Sequence, residues 1–280
     1  METILCPTDF SACSENALLY SDALAQRLGA RVVLLHNVYE PVMVELAPYE
    51  AVPFVEAIQD PAYRQQQQDK LDALIERLLR QEHEAPVYYE SKIKYGITTT
   101  SILQVAREEQ ADLLVLGHEG FQEGFEDSAT AYLLREAPCP VLLVPPHVSF
   151  APPRKIVYAT DLKGESFTDM SFVCQMASYF GAELQLLHTL PDDSPAARQQ
   201  AEAGLALLHK RLPCPKVSAH VEVHSSTEES IFQFCFRQQA DLLVVGCRAR
   251  SFWLAAFHRD HLQQIAAHTF LPLLVLHHKK

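Results

Sequence analysis

The sequence predicts an α/β fold built as two tandem three-layer sandwiches, and two observations carry that expectation. The chain repeats itself, and inside each copy short apolar runs alternate with amphipathic stretches. "ILCPTDFSACSENALLYSDALAQRLGARVVLLHNV" at 4–38 returns as "IVYATDLKGESFTDMSFVCQMASYFGAELQLLHTL" at 156–190, an offset of 152 that pairs Asp9 with Asp161, Gly29 with Gly181 and His36 with His188. "TTTSILQVAREEQADLLVLG" at 98–117 returns as "TEESIFQFCFRQQADLLVVG" at 227–246, now at an offset of 129. Self-similarity on this scale means a duplicated domain, so the fold of one half is the fold of the other.

Each element has a local reason. "TILC", "RVVLLH", "ADLLVL" and "PVLLVP" are rich in Val, Leu and Ile and do not alternate with polar residues, which marks strands buried on both faces. Residues 15–28 place Leu18, Leu24 and Leu28 on one stripe beside Ala17 and Ala25 and stop at Gly29, a suitable helix C-cap. "QQQQDKLDALIERLLRQ" is a second helix, with Leu71, Leu74, Ile75, Leu78 and Leu79 expected on its buried side. Strand and helix in alternation, with the strands buried, give a mostly parallel sheet joined by right-handed crossovers. "PPHVSFAPPRK" at 145–155 holds four prolines and reads as a linker that ends regular structure without adding contacts. The domains are therefore expected at 1–146 and 155–280, with 147–154 between them.

The two offsets differ by 23 residues, an excess in the first copy that follows His36 and includes "EPVMVELAPYEAVPFVEAIQDP". Pro41, Pro48, Pro53 and Pro61 argue against a long helix across 40–62, while Val42, Met43, Val44, Leu46, Phe54, Val55 and Ile58 are too apolar for a free linker. It is expected to fold over its own domain, as a lid or as part of the contact with the second copy.

Composition excludes several classes of function. A formal net charge of −12 opposes a nucleic-acid-binding surface, which needs clustered Lys and Arg. No window approaches the ~18 consecutive apolar residues of a membrane span, and the N-terminus carries no secretory signal, so a cytoplasmic protein is expected. Seven cysteines without a CxxC pair read as small buried hydrophobes in a reducing compartment, not as a disulfide or zinc framework. His258 and His261, with Asp260 between them, have the spacing of two metal ligands on a helix but no third partner, and a surface helix terminus is the plainer account. His36 and His188 are expected to satisfy backbone groups at equivalent strand ends.

"PTDFS" at 7–11, "LLHNV" at 34–38, "ADLLVLGHEG" at 111–120 and "LLREAPCPVLLVP" at 133–145 carry a specific resemblance. Both copies resemble universal stress protein domains, and the whole chain is similar to a tandem member of that family. The resemblance implies a five-stranded parallel sheet of the adenine nucleotide alpha hydrolase-like type in each copy, dimerisation through the last strand, and a role in surviving stress without a defined reaction. It also implies ATP or another adenine nucleotide, with Mg²⁺, as the ligand, and no redox cofactor.

Carried onto this chain, the site residues are Pro7, Thr8 and Asp9 after the first strand, Asn37 and Val38 after the second, and Leu116, Gly117, Gly120 and Ser128 around the loop after the fourth. The family's phosphate loop, G-x-x-G-x9-G-[S/T], is three residues short here: six residues separate Gly120 from Asp127 and Ser128, and Asp127 stands where glycine belongs. Glu119, Glu123 and Glu126 lie between Gly117 and Ser128 with no Lys or Arg among them, so phosphate binding is expected to be weakened. A purely structural account has Asp9 cap the following helix and Gly117 turn the chain.

The second copy keeps the loop spacing but puts Ala249, Arg259 and Asp260 at the family positions and Phe252, Trp253, Leu254 and Phe257 between them; no nucleotide is expected there. The two copies are expected to pair through "PVLLVP" and "PLLVLH", and a homodimer and an unidentified protein partner are further expectations. A pure protein-interaction module, using 40–62 and 251–257, is the alternative. Slow ATP hydrolysis is a third reading, although the sequence offers no general base for it.

Overall fold

The computed structural model describes residues 1–39, 60–82, 84–118, 128–162, 167–247 and 271–277. The first half runs β1 (Thr3–Thr8), α1 (Ala12–Leu28), β2 (Arg31–Val38), α2 (Pro61–Leu79), β3 (Tyr89–Tyr95), α3 (Thr98–Glu108), β4 (Leu113–Gly117), α4 (Ala129–Glu136) and β5 (Val141–Val144). The second half repeats the order as β6 (Lys155–Ala159), α5 (Phe167–Phe180), β7 (Glu183–Leu190), α6 (Pro195–Arg211), β8 (Val217–Val223), α7 (Thr227–Gln238), β9 (Leu242–Cys247) and β10 (Leu273–His277). Each half contributes five strands, parallel within the half.

The two five-stranded sets merge into one ten-stranded sheet of order β3-β2-β1-β4-β5-β10-β9-β6-β7-β8. Its centre is the antiparallel pairing of β5 with β10, Leu142 opposite Leu274, so the expected pairing of the two last strands occurs inside one chain. The apolar runs explain the burial: Val141, Leu142, Leu143, Val144 and Leu274 are all 3% exposed or less. No backbone edge is left at the join.

Local chemistry sets the helix ends. Ser11 caps α1 by accepting from Ser14 N (3.2 Å), and Gly29 closes it in the left-handed conformation (φ 66°), its N–H donating to Ala25 O. Ala17, Leu18, Leu24 and Ala25 are buried as the periodicity predicts. In α2, Leu71, Leu74 and Leu78 are buried, but Leu79 is 59% exposed because the stripe turns away at the last residue. Pro61 does not break a helix there; it occupies the first turn of α2, where its missing N–H costs nothing, behind the Asp60 cap. The rest of the 40–62 excess lies outside the described residues.

Two expectations are corrected. The 145–155 stretch does add contacts: Val148 and Phe150 pack on the core, and Asn16 Nδ2 donates to Pro145 O (3.0 Å) and Val148 O (3.2 Å). Phe150 meets Tyr20 of the first half edge-on at 5.2 Å and Phe180 of the second at 6.1 Å, and the Tyr179 hydroxyl donates to Arg27 O. The cysteines are not all independent apolar fillers either. Cys174 and Cys214 form a disulfide, while Cys6, Cys13, Cys139 and Cys235 are buried and form none. Scattered spacing hid the bond, since its partners are 40 residues apart and meet only once β7 and α6 have packed. Among the described residues no helix is long and apolar enough to cross a membrane, and no group of three potential ligands could hold a metal. His258, Asp260 and His261 lie outside them.

Candidate functional site

The turn from β1 into α1 builds the first wall of the site. Phe10 adopts the left-handed conformation (φ 63°), unusual for a side chain of its size, and the buried Thr8 holds it there by accepting from Phe10 N at 3.0 Å. Thr8 Oγ1 also lies 3.1 Å from Ser14 Oγ in α1. Asp9 Oδ1 accepts from Ser11 N (3.0 Å), and the cap itself is Ser11, so the carboxylate is turned outward and exposed. Burial alone would raise the Asp9 pKa; hydrogen bonding from Ser11 and Ser14 outweighs it and leaves the carboxyl below its ordinary range, ionised at neutral pH.

Beyond the carboxyl ends of β1, β2 and β4 lies a cleft of about 330 Å³, within the usual size range of small-molecule sites. It sits where the strand order reverses, β2 lying on one side of β1 and β4 on the other, the position at which open α/β sheets bind ligands. Leu35, Ile102, Leu116 and Leu133 supply apolar surface, and Thr8, Asp9, Asn37 and Thr98 supply polar groups. The first turns of α1, α3 and α4 all reach the cleft, through Ser14, Thr98 and Thr130, so three helix N-termini present partial positive charge to it. Among the described lining residues Asp9 is the only charged side chain. Asn37 Nδ2 donates to Gly96 O and Thr98 Oγ1 (both 3.0 Å), which leaves its buried Oδ1 without a partner. An orphan acceptor at a cleft wall suits an N–H of a ligand.

Six of the residues singled out from sequence, Pro7, Thr8, Asp9, Asn37, Leu116 and Gly117, line this one cleft. Val38 does not: its side chain is 4% exposed and its carbonyl accepts from Gly96 N (3.0 Å). Ser128 caps α4 by accepting from Ala131 N (3.1 Å), at the cleft's far side. Gly120 and Asp127 lie outside the described residues. Gly117 serves neither to turn the chain nor simply to approach a ligand. A Cβ there would stand 2.4 Å from Cys13 O and 2.9 Å from Ser14 N, so the first turn of α1 rests directly on its backbone. Thr98, Ile102 and Thr130 went unread in the sequence; the polar "TTTS" opening of α3 after Gly96 was the available signal.

The histidines behave as expected. His36 Nδ1 lies 2.8 Å from Thr8 O and His188 Nδ1 lies 2.8 Å from Thr160 O, the same strand-to-strand tie in both halves. Burial, with Lys70 adding to it, lowers the His36 pKa despite the opposing hydrogen bond to Thr8. The second half also repeats the β1 turn: Leu162 is left-handed (φ 57°), and its N–H donates to Thr160 Oγ1 (2.9 Å). Ala249, Phe252, Trp253, Leu254, Phe257 and Arg259, on which its expected loss of binding rests, lie outside the described residues.

A duplicated parallel α/β sheet with a crevice at its switch point is the class of fold in which ligands meet the carboxyl ends of the strands. A family model described as the universal stress protein family matches residues 1–145 and again 153–277, and the chain belongs to that family as a tandem member. A universal stress protein of Thermus aquaticus, from the QAH/OAS sulfhydrylase 3' region, is 32% identical over 146 residues, which is 51% of this chain and 98% of that protein. A universal stress protein from Archaeoglobus fulgidus superposes with a TM-score of 0.70 at 15% identity, covering 98% of both chains. A protein of unknown function from Pseudomonas aeruginosa PAO1 gives 0.60 at 16% identity, covering 99% of this chain and 92% of that one. At these identities the two structures share the fold.

Proposed function

We propose that this protein is a non-enzymatic regulator of the stress response whose first domain (1–146) holds an adenine nucleotide, while the second (155–280), joined through 147–154, is its structural partner. The observation that carries this reading is the convergence of Pro7, Thr8, Asp9, Asn37, Leu116 and Gly117 on one cleft at the β1/β4 switch point. Ionised Asp9 suits a ribose hydroxyl, the unpartnered Asn37 Oδ1 suits an N–H of the base, and the leucines suit its faces.

The phosphate end is the weak part of the fit. Helix N-termini attract an anion, but two of the three already spend an N–H on a cap, Ser14 N on Ser11 and Ala131 N on Ser128. No Lys or Arg lines the described cleft. Mg²⁺ would therefore arrive with the phosphates, not be held by the protein. We infer a preference for the nucleoside and monophosphate over the triphosphate.

Calorimetric titration of the full chain with adenosine, AMP and ATP, the last with and without Mg²⁺, tests the reading. Binding of adenosine or AMP at micromolar to millimolar concentration supports it. No heat from any of the ligands at millimolar concentration removes it and leaves the protein-interaction module.

A further inference from the structure

The two halves tie their first helix to their edge strand by different chemistry. In the first half, Asp22 of α1 is 3% exposed and accepts from the hydroxyl of Tyr89, which opens β3, and from Gln26 Nε2 (3.0 Å). At the repeat offset of 152, Asp22 corresponds to Cys174 of α5. Strand register equates Tyr89, opposite Val32, with Val217, opposite Leu184. Cys174 is bonded to Cys214, which lies just ahead of Val217, with their Cα atoms 5.3 Å apart. A covalent and exchangeable link thus stands where the other half keeps a hydrogen bond.

The two sulfurs differ in access. Cys174 is 2% exposed in the apolar core that also holds Met170, Val173, Leu205 and Leu212, whereas Cys214 is half-buried and sits between the exposed Pro213 and Pro215. The flanking prolines fix the local backbone, so Cys214 stays presented to α5 when the bond is open. We propose that Cys174–Cys214 is a reversible redox latch that tightens the second half under oxidising conditions and releases it under reducing ones, without changing the first half.

Opening begins when an external thiolate attacks Cys214 Sγ, forming a mixed disulfide and displacing the Cys174 thiolate, which takes up a proton. A second external thiolate resolves the mixed disulfide, so two reductant thiols become one disulfide and the protein gains two electrons and two protons. Closure is the reverse, with a small-molecule disulfide such as oxidised glutathione as the two-electron oxidant.

The test equilibrates the native full chain in glutathione buffers of varied ratio, then quenches with iodoacetamide and reads intact mass. The expected result is a conversion between zero and two added alkyl groups relative to a Cys174→Ser, Cys214→Ser reference. Closing a loop of this length predicts an unfolding midpoint about 7 °C lower in the reduced form. Hydrogen exchange should quicken in α5 and β8 on reduction and stay unchanged in β1 to β3. If the double variant does not fold, Cys214→Ser alone supplies the reference, since that side chain is partly exposed, and the count is then corrected for the one thiol that Cys174 keeps. The proposal is overturned if both cysteines stay alkylatable in excess oxidised glutathione, if the native bond resists all thiol reductants, or if the two redox forms melt together.

Discussion

Replacing Gly117 with alanine separates the structural demand on the cleft from the demand of a ligand. The new Cβ would lie 2.4 Å from Cys13 O, whereas ordinary contact begins at 3.4 Å, so helix and strand must part by about 1 Å. The atom it strikes is backbone and has no rotamer to yield. It also belongs to a first turn pinned by the Ser11 cap and by the Thr8–Ser14 contact. Overpacking costs roughly 1–3 kcal/mol, and a rigid opponent puts Gly117→Ala at the upper end, about 3 kcal/mol. In a chain of this size that lowers the thermal midpoint by about 5 °C. Urea unfolding followed by circular dichroism measures it directly, as a fall in midpoint at unchanged m-value. Because Cys13 and Ser14 line the cleft, nucleoside affinity should fall in step. A variant within about 0.5 kcal/mol of the parent would refute the close approach and return Gly117 to a purely ligand-facing role.

Three further outcomes follow from the same structure. Gly204→Ala should have the opposite sign: Gly204 lies inside α6, the atoms nearest its new Cβ are Leu162 Cδ1 (3.0 Å), Cδ2 and Cγ (both 3.6 Å), the movable end of a side chain, and alanine favours the helix by about 0.5–1 kcal/mol; a measured loss would mean that Leu162 is locked. Burial holds the His118 pKa down at about 4 against an ordinary 6.5, so the unfolded chain takes up a proton first as pH falls. Stability is then full above about pH 6.5 and declines toward pH 4, by up to about 3 kcal/mol, and a His118→Gln variant with an identical urea–pH profile would exclude this origin. Asp9→Asn should weaken adenosine binding about tenfold by calorimetry while moving stability little, since the carboxylate is exposed; unchanged affinity would take Asp9 out of the site.

Much of the fold was legible because its signals are local. The apolar runs name the central strands of each half, Gly29 and Gly181 mark helix ends (both φ 66°), and the repeat transfers each assignment from one half to the other. The edge strands β3 and β8 were not read. Tyr89–Tyr95 is half-buried along its whole length and carries Lys92 and Lys94, so it lacks the continuous apolar signature of a covered strand. Part of the site was legible for a different reason: the strand ends carry family motifs. That reading reached Asp9 and Asn37 but missed Thr98 and Ile102, which enter from a helix outside the motifs.

The sequence by itself determined the duplication, the alternation of strand and helix, and the ends of β1, β2 and β4 that border the cleft, because each is written in neighbouring residues. Only the tertiary structure decided that Gly117 carries the first turn of α1, that Asn37 spends its amide on Gly96 and Thr98, and that Cys174 meets Cys214. Those contacts join residues far apart in the chain, and they exist only once strand order and register have brought the elements together.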